Sequence, residues 1–338
     1  MKAWIIDGKF GLDAFALVER ETPKPRRGEV LVRVRAASLN YRDLMVVSGL
    51  YNGAQPLPFI PVSDGAGEVV AIGEGVTRVG VGDRVAGAFA QRWVGGRPTV
   101  ETMRGSTLGT PRPGLLAEYV VLDEEGTVRI PDHLSFEEAS TLPCAGVTAW
   151  HALFVDAPLR PGDTVLVQGT GGVAVFAIQL ARAAGARVIV ISSSDEKLAR
   201  AEQIGAHDLV NYKKTPAWDE RAKELTGGAG VDIVVDVAGG ETLARSVNAL
   251  RIGGQVSLVG LLAGTTAPVD VLQLLIKKVR IQGINVGSRE WFEDMNRAIT
   301  HHRLRPVVDR VYPFEKAPEA VAALKEGSYV GKLVVSVK

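Results

Sequence analysis

The run Val165-Leu166-Val167-Gln168-Gly169-Thr170-Gly171-Gly172-Val173-Ala174 joins a buried-strand pattern to a glycine-rich turn and then to a helical pattern. Such a junction suits a phosphate group. Gly169 permits the tight turn, Gly171 lets the backbone approach a pyrophosphate, and Ala174 is small enough for the helix to pack on the strand. The free backbone N–H groups of the turn then face the phosphates together with the positive end of the helix. Gly169, Thr170, Gly171, Gly172 and Val173 therefore read as a dinucleotide cradle. The following strand selects the dinucleotide, because an acid at its end would bind the ribose 2′-hydroxyl of NAD and repel an added phosphate. Here the chain runs Ile191-Ser192-Ser193-Ser194-Asp195-Glu196-Lys197, and Ser192, 20 positions past Gly172, stands where that acid is expected. Hydroxyls at Ser192 and Ser193 and the ammonium of Lys197 suit a 2′-phosphate, which points to NADPH. The same serines also read as an N-cap with acids in the first helical turn.

These residues need elements to position them. After Pro131 strands and helices alternate: Thr164–Val167 strand, Val173–Ala184 helix, Arg187–Ile191 strand, Asp195–Ile204 helix. A third strand begins at Leu209-Val210, and Val231–Val237, Gln255–Val259 and Val279–Val286 supply the rest of a doubly wound parallel sheet. Before that, short apolar runs lie between turn residues: Val30–Val34, Glu68–Ile72, Asp83–Ala86 and Ala117–Leu122. They predict a β-rich domain or barrel. Gln91–Gly114, rich in Gly, Pro, Thr and Arg, reads as a long loop. The tail returns to a helix at 317–325 and a last strand at 332–337, placed to rejoin the first domain.

With 338 residues, 46% hydrophobic and 23% charged, the chain has the makeup of a globular protein of two domains. Lys plus Arg number 39 against 38 for Asp plus Glu, so a net charge of +1 gives no broad footprint for nucleic acid or anionic lipid. No segment is long and apolar enough for a bilayer, and the start breaks its apolar run at once. A single cysteine, Cys144, rules out an internal disulfide and an all-cysteine zinc cluster. A cytoplasmic, unexported protein is the expectation.

The segments Ala37-Ser38-Leu39-Asn40-Tyr41-Arg42-Asp43, Gly65-Ala66-Gly67-Glu68-Val69, Val81-Gly82-Asp83-Arg84-Val85 and Leu142-Pro143-Cys144-Ala145-Gly146-Val147-Thr148-Ala149, with the cradle, carry a resemblance over nearly the whole length. The chain resembles the medium-chain dehydrogenase/reductase superfamily, and within it the zinc-independent quinone oxidoreductase, or zeta-crystallin-like, branch. The resemblance implies an α/β fold: a GroES-like β-barrel substrate domain from residues 1–124 and 306–338, and a Rossmann domain from residues 125–305. It further implies an active site between them and, through the Val279–Val286 strand, a homodimer.

Zinc-dependent members hold a catalytic metal with a Cys, a His and often a second Cys. The matching places here are Asn40, Ser63 and Cys144, and the Gln91–Gly114 loop lacks the four cysteines of the structural zinc lobe. None of the five histidines falls at a matching ligand place, and His301-His302 reads as a solvated helix end. Asp43 and Asp64 match acids that lie beside the metal in such relatives. Alcohol oxidation usually enlists zinc as a Lewis acid. Hydride delivery to a quinone, enone or enal leaves charge on an oxygen that ordinary donors can stabilise. By resemblance Asn40 orients substrate or nicotinamide ribose, and Tyr51 donates a proton or hydrogen-bonds the carbonyl, with Tyr41 as a competing donor. Thr148, Tyr212, Gly260, Leu261, Asn285 and Lys332 match cofactor contacts. Two other readings stay open: an alcohol or aldehyde dehydrogenase, and a non-catalytic NADPH-binding protein with structural or regulatory duty.

Overall fold

The computed structural model describes residues 1–338 except Asn52 and Arg104. They divide into two compact units, Met1–Val147 with Val286–Lys338, and Thr148–Asn285.

In the first unit β1 (Lys2–Ile6) and β2 (Phe15–Glu19) pair antiparallel. Then come β3 (Glu29–Ser38), a short helix Tyr41–Val47, β4 (Asp64–Ile72), β5 (Arg84–Gly87), β6 (Tyr119–Asp123) and β7 (Thr127–Arg129). The second unit holds β8 (Thr164–Gln168), β9 (Arg187–Ser192), β10 (Asp208–Asn211), β11 (Val231–Asp236), β12 (Leu250–Leu258) and β13 (Arg280–Gly283). The chain then completes the first unit with the helix Arg289–His302, β14 (Val308–Pro313), the helix Ala317–Glu326 and β15 (Lys332–Ser336).

The first unit's main sheet runs β14-β15-β3-β4-β5-β7. β3 is long enough to pair β4 along one edge while its other edge takes β6 against residues 29–33 and β15 against residues 36–38. The C-terminal strand thus rejoins the first domain as the sequence predicts. A core of Val30, Val32, Val34, Val69, Leu115, Leu116, Leu122, Leu333 and Val335 lies on it.

The second unit's sheet is wholly parallel in the order β10-β9-β8-β11-β12-β13. Val165, Leu166 and Val167 of β8 and Val234 and Val235 of β11 are buried on both faces, as central parallel strands with helices on each side require. Starting in the middle and growing both ways creates a switch point at the C-terminal ends of β8 and β11, the place where α/β sheets of this kind take ligands. The Rossmann and GroES-like architecture expected from sequence is the one observed.

The compact units and the sequence-based boundaries differ in two segments. Residues 125–147 and 286–305 group with the first unit, because β7 pairs β5 and the helix Arg289–His302 packs there. Asn296 Nδ2 donates to Arg129 O at 3.1 Å, and Arg78 pairs with Glu293 at 2.8 Å. The sixth strand of the parallel sheet is shorter than its apolar run, ending at Gly283, and Val286 has a φ of 56°, which takes the backbone out of the extended region. The loop at 91–114 is irregular but not slack. It carries a helical turn at Val100–Met103, and Gln91 and Ser106 are buried within it. Among the described residues no helix is long and apolar enough to cross a membrane.

Candidate functional site

In the second unit Gly169 follows β8 at φ 76°, and Gly171 caps the helix Gly172–Ala183 without any side-chain hydrogen bond to its first turn. The leading N–H groups of that helix are left for another partner. A Cβ on Gly171 would meet nothing within 4 Å, so the space above the turn is open. Ala174 is buried against the sheet. The turn is braced from below by a polar network that sequence reasoning missed. Buried Asp236, at the end of β11, accepts from Ser246 Oγ at 2.7 Å and from Gly239 N at 2.8 Å, and Gln168 at the end of β8 donates to Ser246 Oγ at 2.8 Å. A lone acid at a strand end gave no signal, because its side-chain donor, Ser246, comes from the following helix, Leu243–Ala249.

Because every strand points the same way, the residues that follow the strands share one edge of the sheet. Thr170 continues the turn after β8 and Gly172 and Val173 open the helix, Ser192 ends β9 and Ser193 follows it, and Tyr212 follows β10 with its N–H on Ser192 O at 3.0 Å. Gly260 and Leu261 follow β12, and Asn285 follows β13. Gly260 has a packing reason of its own, since a Cβ there would lie 2.0 Å from Val237 O. Lys197 sits in the first turn of the helix Asp195–Ile204, whose cap Ser194 accepts from Lys197 N at 3.4 Å. Asp195 is engaged by Asn211 Nδ2 at 2.7 Å and by Lys214. Thr148, buried in the helix Val147–Phe154, is not on this strand-end row.

In the first unit three strand ends and one turn gather a buried charge cluster. Asn40 opens the helix Tyr41–Val47, and its N–H is held by Asp43 Oδ2 at 2.8 Å; Asp43 Oδ1 takes Ser63 N at 3.2 Å. Ser63 Oγ donates to Asp64 Oδ1 at 2.8 Å, and Cys144 N to Asp64 Oδ2 at 2.9 Å. Into this set comes Lys332 from β15, only 3% exposed, donating to the Leu39 carbonyl and, at 2.6 Å, to Asn40 Oδ1. Burial pushes the Asp64 carboxyl up to about 6, with Lys332 opposing. Burial and the neighbouring Asp64 push the Cys144 thiol well above its usual range, and burial pushes the Lys332 ammonium down against the pull of Asp64.

Tyr51 is 44% exposed, and its ring lies on the Arg42 guanidinium at 4.7 Å. Arg42 also stacks on Phe89 at 4.8 Å and donates to Leu108 O and Thr110 O at 3.2 and 3.3 Å. The structure thus brings Asn40 and Lys332 into contact and fixes Tyr51 through Arg42. Tyr41, the competing donor, is 45% exposed on the same short helix. His301 and His302 are exposed at a helix end, as read from sequence.

Residues 26–132 match the family described as alcohol dehydrogenase GroES-like domain, and residues 172–301 that described as zinc-binding dehydrogenase. A zinc-type alcohol dehydrogenase-like protein of Schizosaccharomyces pombe is 44% identical over 334 residues, covering 97% of this chain and 96% of the relative. A putative alcohol dehydrogenase from Sinorhizobium meliloti 1021 superposes with a TM-score of 0.91 at 43% identity over 100% of both chains. Two mycobacterial structures, one complexed with NADPH and one of a quinone oxidoreductase, match with TM-scores of 0.83 at 30% identity over 100% of both chains.

Proposed function

The chain belongs to the medium-chain dehydrogenase/reductase superfamily, whose members are oxidoreductases with a nicotinamide cofactor, and on that premise we propose that it is a zinc-free NADPH-dependent reductase of quinones or α,β-unsaturated carbonyls. The observation that carries this reading is the Lys332 ammonium held on Asn40. Zinc takes deprotonated thiolates, neutral imidazoles and carboxylates. The places that hold it in metal-dependent relatives carry here an amide, Asn40, a hydroxyl, Ser63, and a thiol, Cys144, kept protonated by burial and Asp64. A buried cation beside them repels another. Among the described residues, no three His, Cys, Asp or Glu side chains are grouped to hold a metal. The residues do not fit a catalytic zinc.

A nicotinamide dinucleotide does fit the second unit, where the open turn at Gly171 and the uncapped helix offer N–H groups to a pyrophosphate. When bound, NADPH supplies a hydride. Thr148, Tyr212, Gly260, Leu261 and Asn285 would line its remaining length, and Ser192, Ser193 and Lys197 its 2′-phosphate. Asn40 hydrogen-bonds the acceptor's oxygen as charge develops there, and Tyr51 Oη delivers a proton. The protein then acts on a small molecule in the cytoplasm, without nucleic acid or membrane.

The test uses chelated protein with NADPH and a panel of quinones, enones and enals. Consumption of NADPH on adding an acceptor is expected; inert chelated protein that binds zinc and reduces NAD with an alcohol would overturn the reading. Tyr51→Phe keeps the ring on Arg42 and loses only the hydroxyl. It should lower kcat by about 10²-fold with NADPH affinity unchanged, and an unchanged kcat removes Tyr51 from the mechanism.

A homodimer is proposed through β13, an edge strand of the parallel sheet. Beside it the helix Val271–Lys277 leaves Val271, Leu272, Leu275 and Ile276 between 63% and 69% exposed, more apolar surface than one isolated side chain would explain. In sedimentation, wild type should run as a dimer at micromolar concentration and the double variant Leu275→Glu, Ile276→Glu as a folded monomer. A monomeric wild type refutes this assembly.

A further inference from the structure

Asn40 Nδ2 is buried and makes no hydrogen bond of ordinary geometry to any described residue. Leaving such a donor unpaired is costly, so an orphan of this kind points to a partner that arrives later. Asp64 is the nearby anion, and the Asn40 amide helps to hold its carboxyl down. Its two oxygens accept from Ser63 Oγ and Cys144 N and keep lone pairs to spare, so Asp64 can draw on one Nδ2 hydrogen and leaves the other for a further partner. The other end of the amide is fully engaged. Oδ1 accepts from Lys332, and the assignment is forced chemically, because an NH2 group turned toward an ammonium would set donor against donor.

Lys332 is itself immobilised. Its N–H donates to Val307 O at 3.0 Å, the next residue of β15 takes Leu39 N on its carbonyl at 3.0 Å, and its ammonium also binds the Leu39 carbonyl. The two residues are 292 positions apart and meet only because β15 lies antiparallel to the end of β3.

We propose that Lys332 is a positioning residue: by donating to Asn40 Oδ1 and the Leu39 carbonyl it holds the Asn40 amide so that its N–H groups, turned away from the ammonium, stand preset to bind a ligand's carbonyl or enolate oxygen. This rests on the reductase reading only for what the amide meets. It gives Lys332 a different task from the cofactor contact that its sequence position suggests. A fixed amide donor needs no reorganisation when charge develops on the oxygen, which is how such a donor contributes to rate.

The full-length protein is compared with Lys332→Met, which removes the donor, and Lys332→Gln, which keeps an amide donor without the charge. At saturating NADPH and acceptor, kcat should fall by about 10²-fold in the Met variant, recover at least partly in the Gln variant, and leave the NADPH dissociation constant nearly unchanged. If the dissociation constant rises sharply while kcat at saturation holds, Lys332 serves the cofactor and the proposal is overturned. A second readout needs no turnover. In 15N-labelled protein the Asn40 side-chain amide pair, identified by its loss in Asn40→Asp, should be dispersed and protected in wild type and collapse in Lys332→Met; an unchanged pair overturns the lock. Should wild type reduce no acceptor, the reductase reading fails while the amide resonances still decide the lock. If the Met variant does not fold, the Gln variant carries the amide measurement: a dispersed, protected pair supports the lock and a collapsed one overturns it.

Discussion

Gly171→Asp should abolish high-affinity NADPH binding while leaving the apoprotein as stable as wild type or slightly more so. Gly171 has φ −75° and ψ −174°, a conformation any residue adopts, and a Cβ there meets nothing within 4 Å. Asp is a good N-cap, better than Gly by roughly a few tenths of a kcal/mol, and its carboxylate would sit on the first-turn N–H groups of the helix Gly172–Ala183. Those are the groups a pyrophosphate needs, and the added charge repels it. We expect at least about a 100-fold loss in affinity by fluorescence titration, with the apo melting temperature unchanged or raised. Gly169 supplies the contrast: at φ 76°, replacing it with Ala should cost about 1–2 kcal/mol of stability through backbone strain alone. If Gly171→Asp still binds NADPH tightly, the open turn is not the phosphate cradle.

That contrast marks what the sequence could and could not convey. The glycine motif was legible because all its parts are neighbours along the chain, yet the different duties of Gly169 and Gly171 show only in their dihedrals and surroundings. The alternation of strands and helices from β8 to β13 was legible for the same reason, since period and turn residues are local. The end of β13 was not, because the strand stops at Gly283 while the apolar pattern continues to Val286, whose φ of 56° is not extended. Lys332 read only as one of several residues matching a cofactor contact. Its partner Asn40 lies at the far end of the chain, and no spacing rule links a C-terminal strand to an N-terminal turn. Asp236 gave no signal although Ala238 N and Gly239 N are close along the chain, because Ser246 Oγ reaches it only once the helix Leu243–Ala249 packs beside β11. Local periodicity carries the fold, whereas long-range contacts carry the polar placement within it.

Cofactor choice is the property most open to a single substitution. Ser192 ends β9 and is buried, its carbonyl already engaged by Tyr212 N. No carboxylate occupies that place, and the nearest acid along the chain, Asp195, is paired with Lys214 and accepts from Asn211 Nδ2. On the NADPH reading a 2′-phosphate would meet the hydroxyls of Ser192 and Ser193 and the ammonium of Lys197. Ser192→Asp places a carboxylate where it can accept from the 2′-hydroxyl of NADH and must repel the phosphate of NADPH. Two like charges about 4 Å apart at an effective dielectric near 20 oppose each other by roughly 4 kcal/mol, and relaxation and salt reduce this. A shift in the NADPH-to-NADH affinity ratio of about 10²-fold or more is expected, measured by titrating each cofactor into the same variant. Because the new acid sits near the end of the strand, the apo melting temperature recorded alongside separates a changed preference from a damaged fold. Equal losses for both cofactors, with the fold intact, would mean that the 2′-position is read elsewhere, and the case for NADPH built on Ser192 would fall.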